Sequence, residues 1–221
     1  MTDTARRAAP NPTKSFYDRI SKAYDLIADS GERTAREKGL ALLGAAAGEK
    51  VLVVGFGTGH SVAALAHNVG DKGRVYGIDI SEGMLEVASK RVADERVAGQ
   101  VELSLGDARQ LKFGDNAFDV AFISFTLELF SETEIPRVLG EIRRVLRPGG
   151  RLAVVAMSRE PHENVMTGIY VWMHRHFPHF VDCQPIAARG WIERAGFTAE
   201  RNERMEIWSL PVAIVLVRKP A

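Results

Sequence analysis

The sequence VLVVGFGTG, at residues 51–59, decides the fold class of this chain. A short, β-branched apolar run that stops at glycines is typical of a strand buried on both faces of a sheet. The residues that follow, HSVAALAHNV, are predicted to form a helix. A glycine-rich turn between a buried strand and a helix lets the backbone approach a ligand closely and points helix N–H groups outward. We therefore predict a cofactor site at Gly55, Gly57 and Gly59.

Strands and helices continue to alternate after this motif. Further strands are predicted at residues 74–80, 101–105, 118–125 and 151–157. Two more strands, at about 199–210 and 211–219, follow each other through a tight turn and must therefore be antiparallel. The sequence predicts an α/β fold with a Rossmann-like, doubly wound sheet of seven strands. The sheet is expected to be mostly parallel, with a C-terminal antiparallel hairpin and helices on both faces.

Composition and charge exclude several classes of function. The chain has 221 residues, which suits about one domain, and a formal net charge of +1. This balance provides no overall field that would attract nucleic acid, so no nucleic-acid partner is expected. Cys183 is the single cysteine, which excludes an intramolecular disulfide and zinc sites with several cysteine ligands. Because no stretch resembles a signal peptide or a spanning helix, we expect a soluble, cytoplasmic protein.

The domain organisation is predicted from changes in local pattern. Residues 1–14 lack periodicity and are expected to form a flexible tail. Residues 15–221 are expected to form a single domain, beginning with two helices before the first strand. Residues 158–190 interrupt the strand and helix alternation, and we interpret them as an insert that covers the substrate.

The spacing of the glycines and of two acids indicates a nucleoside ligand. A dinucleotide fingerprint would require glycine at position 60, where this chain has His60, so NAD is disfavoured. Asp79 ends the second strand, where a carboxylate accepts hydrogen bonds from both ribose hydroxyls. Asp107 follows the third strand and could accept from an adenine amine. Both acids also have an ordinary interpretation, since Asp79 could cap a helix and Asp107 could bond its own loop.

These motifs resemble the class I S-adenosylmethionine-dependent methyltransferases, and in particular the ubiquinone and menaquinone biosynthesis branch, also described as methyltransferase type 11. The resemblance covers roughly residues 15–160. It is carried by the segments VLVVGFGTG, VYGIDISEGML, GDARQLKFGDNAFD, FDVAFISFTLEL and EIRRVLRPGGRLAVV.

The resemblance implies S-adenosyl-L-methionine as the cofactor and assigns contacts to it. Asp79 would hold the ribose, and Asp107 and Ala108 would lie beside the adenine. Tyr24, with Tyr17, matches an N-terminal segment that folds over the cofactor, although both could be helix-packing aromatics.

Val53 departs from the family pattern. The family usually has an acid at this position, two residues before the first glycine, where it helps to hold the methionine ammonium. Valine suits a buried strand better than an unpaired carboxylate does. Alternatively, the substitution weakens or rearranges cofactor binding, with the ammonium left to backbone carbonyls such as that of Gly55.

The predicted insert holds four of the six histidines and is the expected place for acceptor chemistry. Methyl transfer from a sulfonium is an in-line displacement in which positioning supplies most of the catalysis. An acceptor that must lose a proton still needs a base, and a histidine suits this task. Helical spacing places Trp172 and His176 on one side of a predicted helix, with Tyr170 in an adjacent apolar stripe. We predict His176 as the catalytic base, and Trp172 and Tyr170 as substrate contacts.

Other interpretations of the same segment stay open. His176 could be a hydrogen-bonded, half-buried residue within an ordinary core stripe of Met and Trp. A metal site at His174, His176 and His179 is disfavoured, since their spacing fits no established helical ligand pair, and no metal is predicted. A helix rich in Trp, Tyr and Met could also contact a membrane surface to collect a lipid-like substrate.

Glu128 lies just beyond the fourth predicted strand, where it could orient a substrate or cap the next helix. The function predicted overall is methyl transfer to a small, apolar or lipid-like acceptor, such as a quinone precursor or a phospholipid headgroup. The alternatives are a non-catalytic protein that binds S-adenosyl ligands and an NAD-dependent oxidoreductase. Acceptors with an O, N, C or S nucleophile all stay open.

Overall fold

A computed structural model describes residues 29–159, 185–207 and 210–221, with side chains described from residue 32. The helices are α1 (Asp29–Leu43), α2 (His60–Val69), α3 (Glu82–Asp94), α4 (Ile135–Val145) and α5 (Ala188–Arg194), with a 3-10 turn at Leu127–Leu129. The strands are β1 (Lys50–Val54), β2 (Arg74–Asp79), β3 (Val101–Leu105), β4 (Phe118–Ser124), β5 (Leu146–Met157), β6 (Thr198–Ile207) and β7 (Leu210–Arg218).

The seven strands form one sheet in the order β3-β2-β1-β4-β5-β7-β6. The five strands from β3 to β5 in this order are parallel, whereas β7 runs antiparallel to both β5 and β6. The chain leaves β1 in one direction for β2 and β3 and then returns to the other side of β1 at β4. Such a switch point leaves a crevice at the carboxyl ends of the strands, which is where ligands bind in open α/β sheets.

The position of β1 in the middle of the fold explains why residues 51–54 are all apolar. Val51 and Val53 pack into the core cluster on the face that carries α1, α2 and α3. Leu52 and Val54 pack into the cluster on the opposite face, with α4 and α5. All four side chains are at most 1% exposed. Burial on both faces removes the alternation of apolar and polar residues that a half-exposed strand would need.

The sequence predicted the fold class and most element positions correctly. One boundary differs, because β5 begins at Leu146 and includes the Arg147 to Gly150 segment that was expected to separate helix from strand. The pairing of β4 with β5 jumps from Phe118↔Leu146 to Val120↔Arg151, so an irregularity in the ladder absorbs the extra residues. The first of the two helices predicted before β1 lies outside the described residues.

Candidate functional site

A cleft with a volume of about 370 Å³ opens at the carboxyl ends of β1, β2, β3 and β4. The glycine loop after β1, the ends of β2 and β3, the segment after β4 and one face of α1 form its walls. Its lining includes Glu32, Arg36, Gly55, Gly57, His60, Asp79, Asp107, Ala108, Arg109, Thr126 and Glu134. The parallel sheet therefore brings the segments after four strands, which are distant in sequence, to one ligand-sized space.

The three glycines of the loop have different roles, although all have positive φ values. At Gly55 a Cβ atom would lie 2.3 Å from the Thr126 Oγ1 atom, so only glycine lets the loops after β1 and β4 pack together. At Gly57 a Cβ atom would meet nothing within 4 Å, and this residue lines the cleft. Gly59 caps α2, and its carbonyl accepts the N–H of Ala63 at 3.0 Å. The backbone at Gly57 is therefore open to close approach by a ligand.

The Asp79 carboxylate joins the glycine loop to the start of α3. Its Oδ2 atom accepts the Gly57 N–H at 2.9 Å, and its Oδ1 atom accepts the Ser81 N–H at 3.0 Å. Asp79 does not cap α3, because the N-cap is Ser81, whose side chain accepts the N–H of Met84. Asp79 also lines the cleft, and a carboxylate can accept more than two hydrogen bonds.

Asp107 lies in an ion network that the sequence analysis did not identify. Arg109 donates to it from its backbone N at 2.8 Å and from its Nη2 atom at 2.6 Å, and Nε contacts both oxygens at 3.0 Å. Arg109 also binds Glu134, which precedes α4. Hydrogen bonding to Arg109 lowers the pKa of Asp107 despite partial burial. The predicted loop contact of Asp107 is thus present, and Arg109 closes the adjoining wall of the cleft.

Glu128 is buried, with 2% of its surface exposed, and it is not among the residues that line this cleft. Its Oε1 atom accepts the N–H of Met157 at 3.0 Å, whereas Oε2 has no hydrogen-bond partner among the described residues. Burial, with a smaller contribution from the charge of Glu32, raises the pKa of Glu128 to about 7. The hydrogen bond between Met157 and Glu128 ties the turn after β4 to the end of β5. Glu128 does not cap α4, whose N-cap is Glu134.

The wall formed by α1 contributes two charged residues that belong to none of the sequence motifs. Glu32 and Arg36 both line the cleft and are separated by one helical turn. Val53, at the position where the family usually has an acid, is 1% exposed and belongs to the apolar core, so it adds no charge to the cleft. In the sequence, only the (i, i+4) spacing of Glu32 and Arg36 could have indicated this pair, and that spacing is common on helix surfaces.

Several predicted residues lie outside the described part of the chain. They are Tyr24, Tyr170, Trp172 and His176, together with the predicted tail 1–14 and most of the predicted insert 158–190. The two ends of that insert are described and lie side by side. Ile186 donates its N–H to the Met157 carbonyl at 3.0 Å and accepts the Arg159 N–H at 3.2 Å. The chain therefore leaves the end of β5 and returns to the same place.

The described ranges contain neither a candidate metal cluster nor a candidate membrane-spanning helix. No group of three or more His, Cys, Asp or Glu side chains could hold a metal ion there. No helix in those ranges has both the length and the apolar character needed to cross a bilayer.

A seven-stranded sheet with this strand order, a glycine loop at its switch point and an acid ending the second strand define a class I S-adenosylmethionine-dependent methyltransferase. Residues 6–184 match the ubiE/COQ5 methyltransferase family, and the chain belongs to this family.

Individual relatives agree with this assignment. A demethylmenaquinone methyltransferase from Symbiobacterium thermophilum is 35% identical over 170 residues, which are 75% of this chain and 66% of the relative. A ubiquinone/menaquinone biosynthesis C-methyltransferase from Pseudomonas fluorescens is 37% identical over 191 residues, covering 77% of this chain and 73% of the relative. The chain thus spans about two thirds to three quarters of these relatives. The structure of an S-adenosylmethionine-dependent methyltransferase from Aquifex aeolicus has a TM-score of 0.67 and 26% identity, covering 95% of this chain and 99% of that one.

The comparisons confirm the predicted family, fold class and S-adenosylmethionine cofactor. The alternative of an NAD-dependent oxidoreductase is thereby set aside. Of the predicted site residues in the described ranges, Gly55, Gly57, Asp79, Asp107 and Ala108 line the cleft, whereas Gly59 and Glu128 do not.

Proposed function

We propose that this chain transfers the methyl group of S-adenosylmethionine to a ring carbon of a reduced quinone precursor. Membership of the ubiE/COQ5 family supports the proposal, as do relatives whose names specify demethylmenaquinone and C-methylation. The structural observation that carries it is the cleft at the switch point, where the open backbone of Gly57 lies beside the Asp79 carboxylate. A phospholipid headgroup is the alternative acceptor.

The residues of the cleft fit the proposed cofactor. Asp79 keeps acceptor capacity for ribose hydroxyls while it holds Gly57 in place. Ala108 is a small side chain that lines the cleft, and we assign it with Asp107 to the adenine end. Gly55 and Gly59 shape the loop, so their contribution to binding is indirect.

Bound S-adenosylmethionine would supply a methyl group already activated on a sulfonium centre. The acceptor must be nucleophilic, and a reduced quinone ring is electron-rich where the oxidised ring is not. The ring carbon forms a bond to the methyl carbon as the methyl–sulfur bond breaks, and the sulfur keeps the bonding pair. The ring carbon then loses its proton to a base. The protein needs to hold the two reactants in line and to receive that proton.

We assign the acceptor side to the segment 158–190, as part of the single domain 15–221. The pairing of Ile186 with Met157 and Arg159 supports this, since it anchors both ends of the segment at the carboxyl end of β5, near the cleft. His176 remains the proposed base, and Trp172 and Tyr170 the proposed acceptor contacts. Tyr24 remains a proposed contact to the cofactor. The proposal includes a cytoplasmic location. It also includes a peripheral contact with the membrane, because quinone precursors carry apolar tails.

A methylation assay with paired acceptors tests the function. The protein is incubated with S-adenosylmethionine and a chemically reduced, demethylated naphthoquinone, and the product is identified by mass spectrometry and by the position of the new methyl group. We expect one methyl group on a ring carbon. A phosphoethanolamine acceptor in the same assay tests the headgroup alternative.

The outcomes separate the candidate functions. Ring methylation that requires the reduced acceptor supports the proposal, and methylation of phosphoethanolamine instead would replace it with the headgroup alternative. Binding of S-adenosylmethionine with no turnover on either acceptor would favour a non-catalytic binding protein.

A further inference from the structure

The charged residues that line the cleft fall into separate groups along its length. Asp107, Arg109 and Glu134 bind one another at the end of β3. Asp79 binds the backbone at the end of β2. Glu32 and Arg36, both from α1, are the remaining charged residues that line the cleft. The cleft therefore has two acidic regions assigned to the nucleoside and an oppositely charged pair in the wall that α1 forms.

The geometry of α1 directs two acid and base pairs to different surroundings. Glu32 and Arg36, four residues apart, share one face, and both are half-buried against the cleft. Arg33 and Glu37 are the pair shifted by one residue. They bind each other at 2.8 Å, with 67% and 58% of their side chains exposed. The same helix thus presents one pair to the cleft and a matched pair to solvent.

No acidic side chain from β1 reaches this region. Val53 and Val54 are each 1% exposed and lie in the two core clusters. The negative charge of Glu32 also acts on the neighbouring turn after β4, because it helps to raise the pKa of buried Glu128. Glu32 is consequently an acid of the α1 wall that lines the cleft and lies near the turn after β4.

We propose that Glu32 and Arg36 bind the amino-acid end of S-adenosylmethionine, and this proposal rests on the proposed function. The Glu32 carboxylate accepts hydrogen bonds from the α-ammonium, and the Arg36 guanidinium donates to the α-carboxylate. A zwitterion carries one charge of each sign, which this pair complements. In this chain the acid for the ammonium thus comes from the helix before β1 and not from the strand, where Val53 stands.

Calorimetric binding to three ligands tests the assignment. S-Adenosylmethionine and S-adenosylhomocysteine carry the amino acid, whereas 5′-methylthioadenosine has the same nucleoside and a thioether without it. Glu32→Gln and Arg36→Met should each weaken the first two ligands by roughly 10- to 100-fold, the loss expected for a charged hydrogen bond. Affinity for 5′-methylthioadenosine should change by less than about twofold, because the variants keep the nucleoside site.

The exposed pair supplies matched controls on the same helix. Glu37→Gln and Arg33→Met make the same chemical changes one residue away and should leave the affinity of all three ligands unchanged. Retained binding of 5′-methylthioadenosine shows that a variant is folded with its nucleoside site intact.

Two results would overturn the assignment. One is an equal loss of all three ligands in Glu32→Gln and Arg36→Met, which would mean that the pair acts through the fold. The other is an unchanged affinity for S-adenosylmethionine in both variants. Failure of the unmodified protein to bind any of the three ligands would reject the proposed function itself. This outcome is distinct from failure of the Glu32 and Arg36 assignment, because it is measured without any variant.

Discussion

Glu128→Gln should change how the stability of the protein depends on pH. The carboxyl of Glu128 is buried, and burial raises its pKa from an ordinary value of 4.5 to about 7. The folded state therefore holds a proton that the unfolded state releases between these values. The stabilising contribution is fully present below pH 4.5 and is lost as the pH rises to about 7. Glutamine resembles the protonated carboxyl in shape and does not titrate.

The size of the effect follows from the two pKa values. Each pH unit in this interval changes the free energy of unfolding by about 1.4 kcal/mol, so the wild-type protein should lose about 3 kcal/mol relative to the variant. The difference between the two proteins is the useful quantity, because the titration of all other groups cancels in it. Above pH 7 the difference should become constant.

Urea unfolding of both proteins at several pH values between 4.5 and 8 measures this difference. Glu134→Gln is a control with the opposite sign. Its hydrogen bonds with Ser131 and with Arg109 lower the pKa of Glu134 below 4.5, so the wild-type contribution is lost only as the pH falls below 4.5. The difference between wild type and Glu134→Gln should therefore stay constant between pH 4.5 and 8. A difference between wild type and Glu128→Gln that stays constant across the whole range would refute the reasoning.

Four further predictions concern binding and packing. Asp79→Ala should weaken S-adenosylmethionine binding by about 1.5 to 3 kcal/mol in calorimetry, since it removes a charged acceptor; an unchanged affinity would contradict its role. Gly55→Ala should lower the thermal unfolding midpoint by several degrees, because its Cβ would lie 2.3 Å from Thr126, and unaltered stability would show that the loops can separate. Gly57→Ala should cost less stability, since its Cβ meets open space, but its methyl group should reduce cofactor affinity measured by titration. Trp172→Ala should raise the KM for the acceptor without changing cofactor affinity, and equal losses of both would assign this residue to the core.

Local patterns predicted the fold and part of the site because they reflect local physical demands. A strand buried on both faces must be apolar throughout, which the run 51–54 satisfies. A turn that approaches a ligand needs residues that accept positive φ, which Gly55, Gly57 and Gly59 supply. Asp79 and Asp107 could be placed at one edge because parallel strands end on the same side of a sheet.

Other features of the site depend on contacts between segments far apart in sequence. Arg109 reaches Glu134 across 25 positions, and Met157 donates to Glu128 across 29. No local period encodes such pairs, since the order of β3, β4 and β5 in the sheet brings them together.

The sequence by itself determined the alternation of strands and helices, the position of the glycine loop and the family to which the chain belongs. These properties can be predicted from short segments, because the residue pattern within each segment is typical of a buried strand, a tight turn or a helix. Only the tertiary structure decided that Val53 lies in the core and that Glu32 and Arg36 of α1 line the cleft. The physical reason is that a helix pattern shows which residues share a face, whereas the packing of α1 on the sheet determines what that face meets.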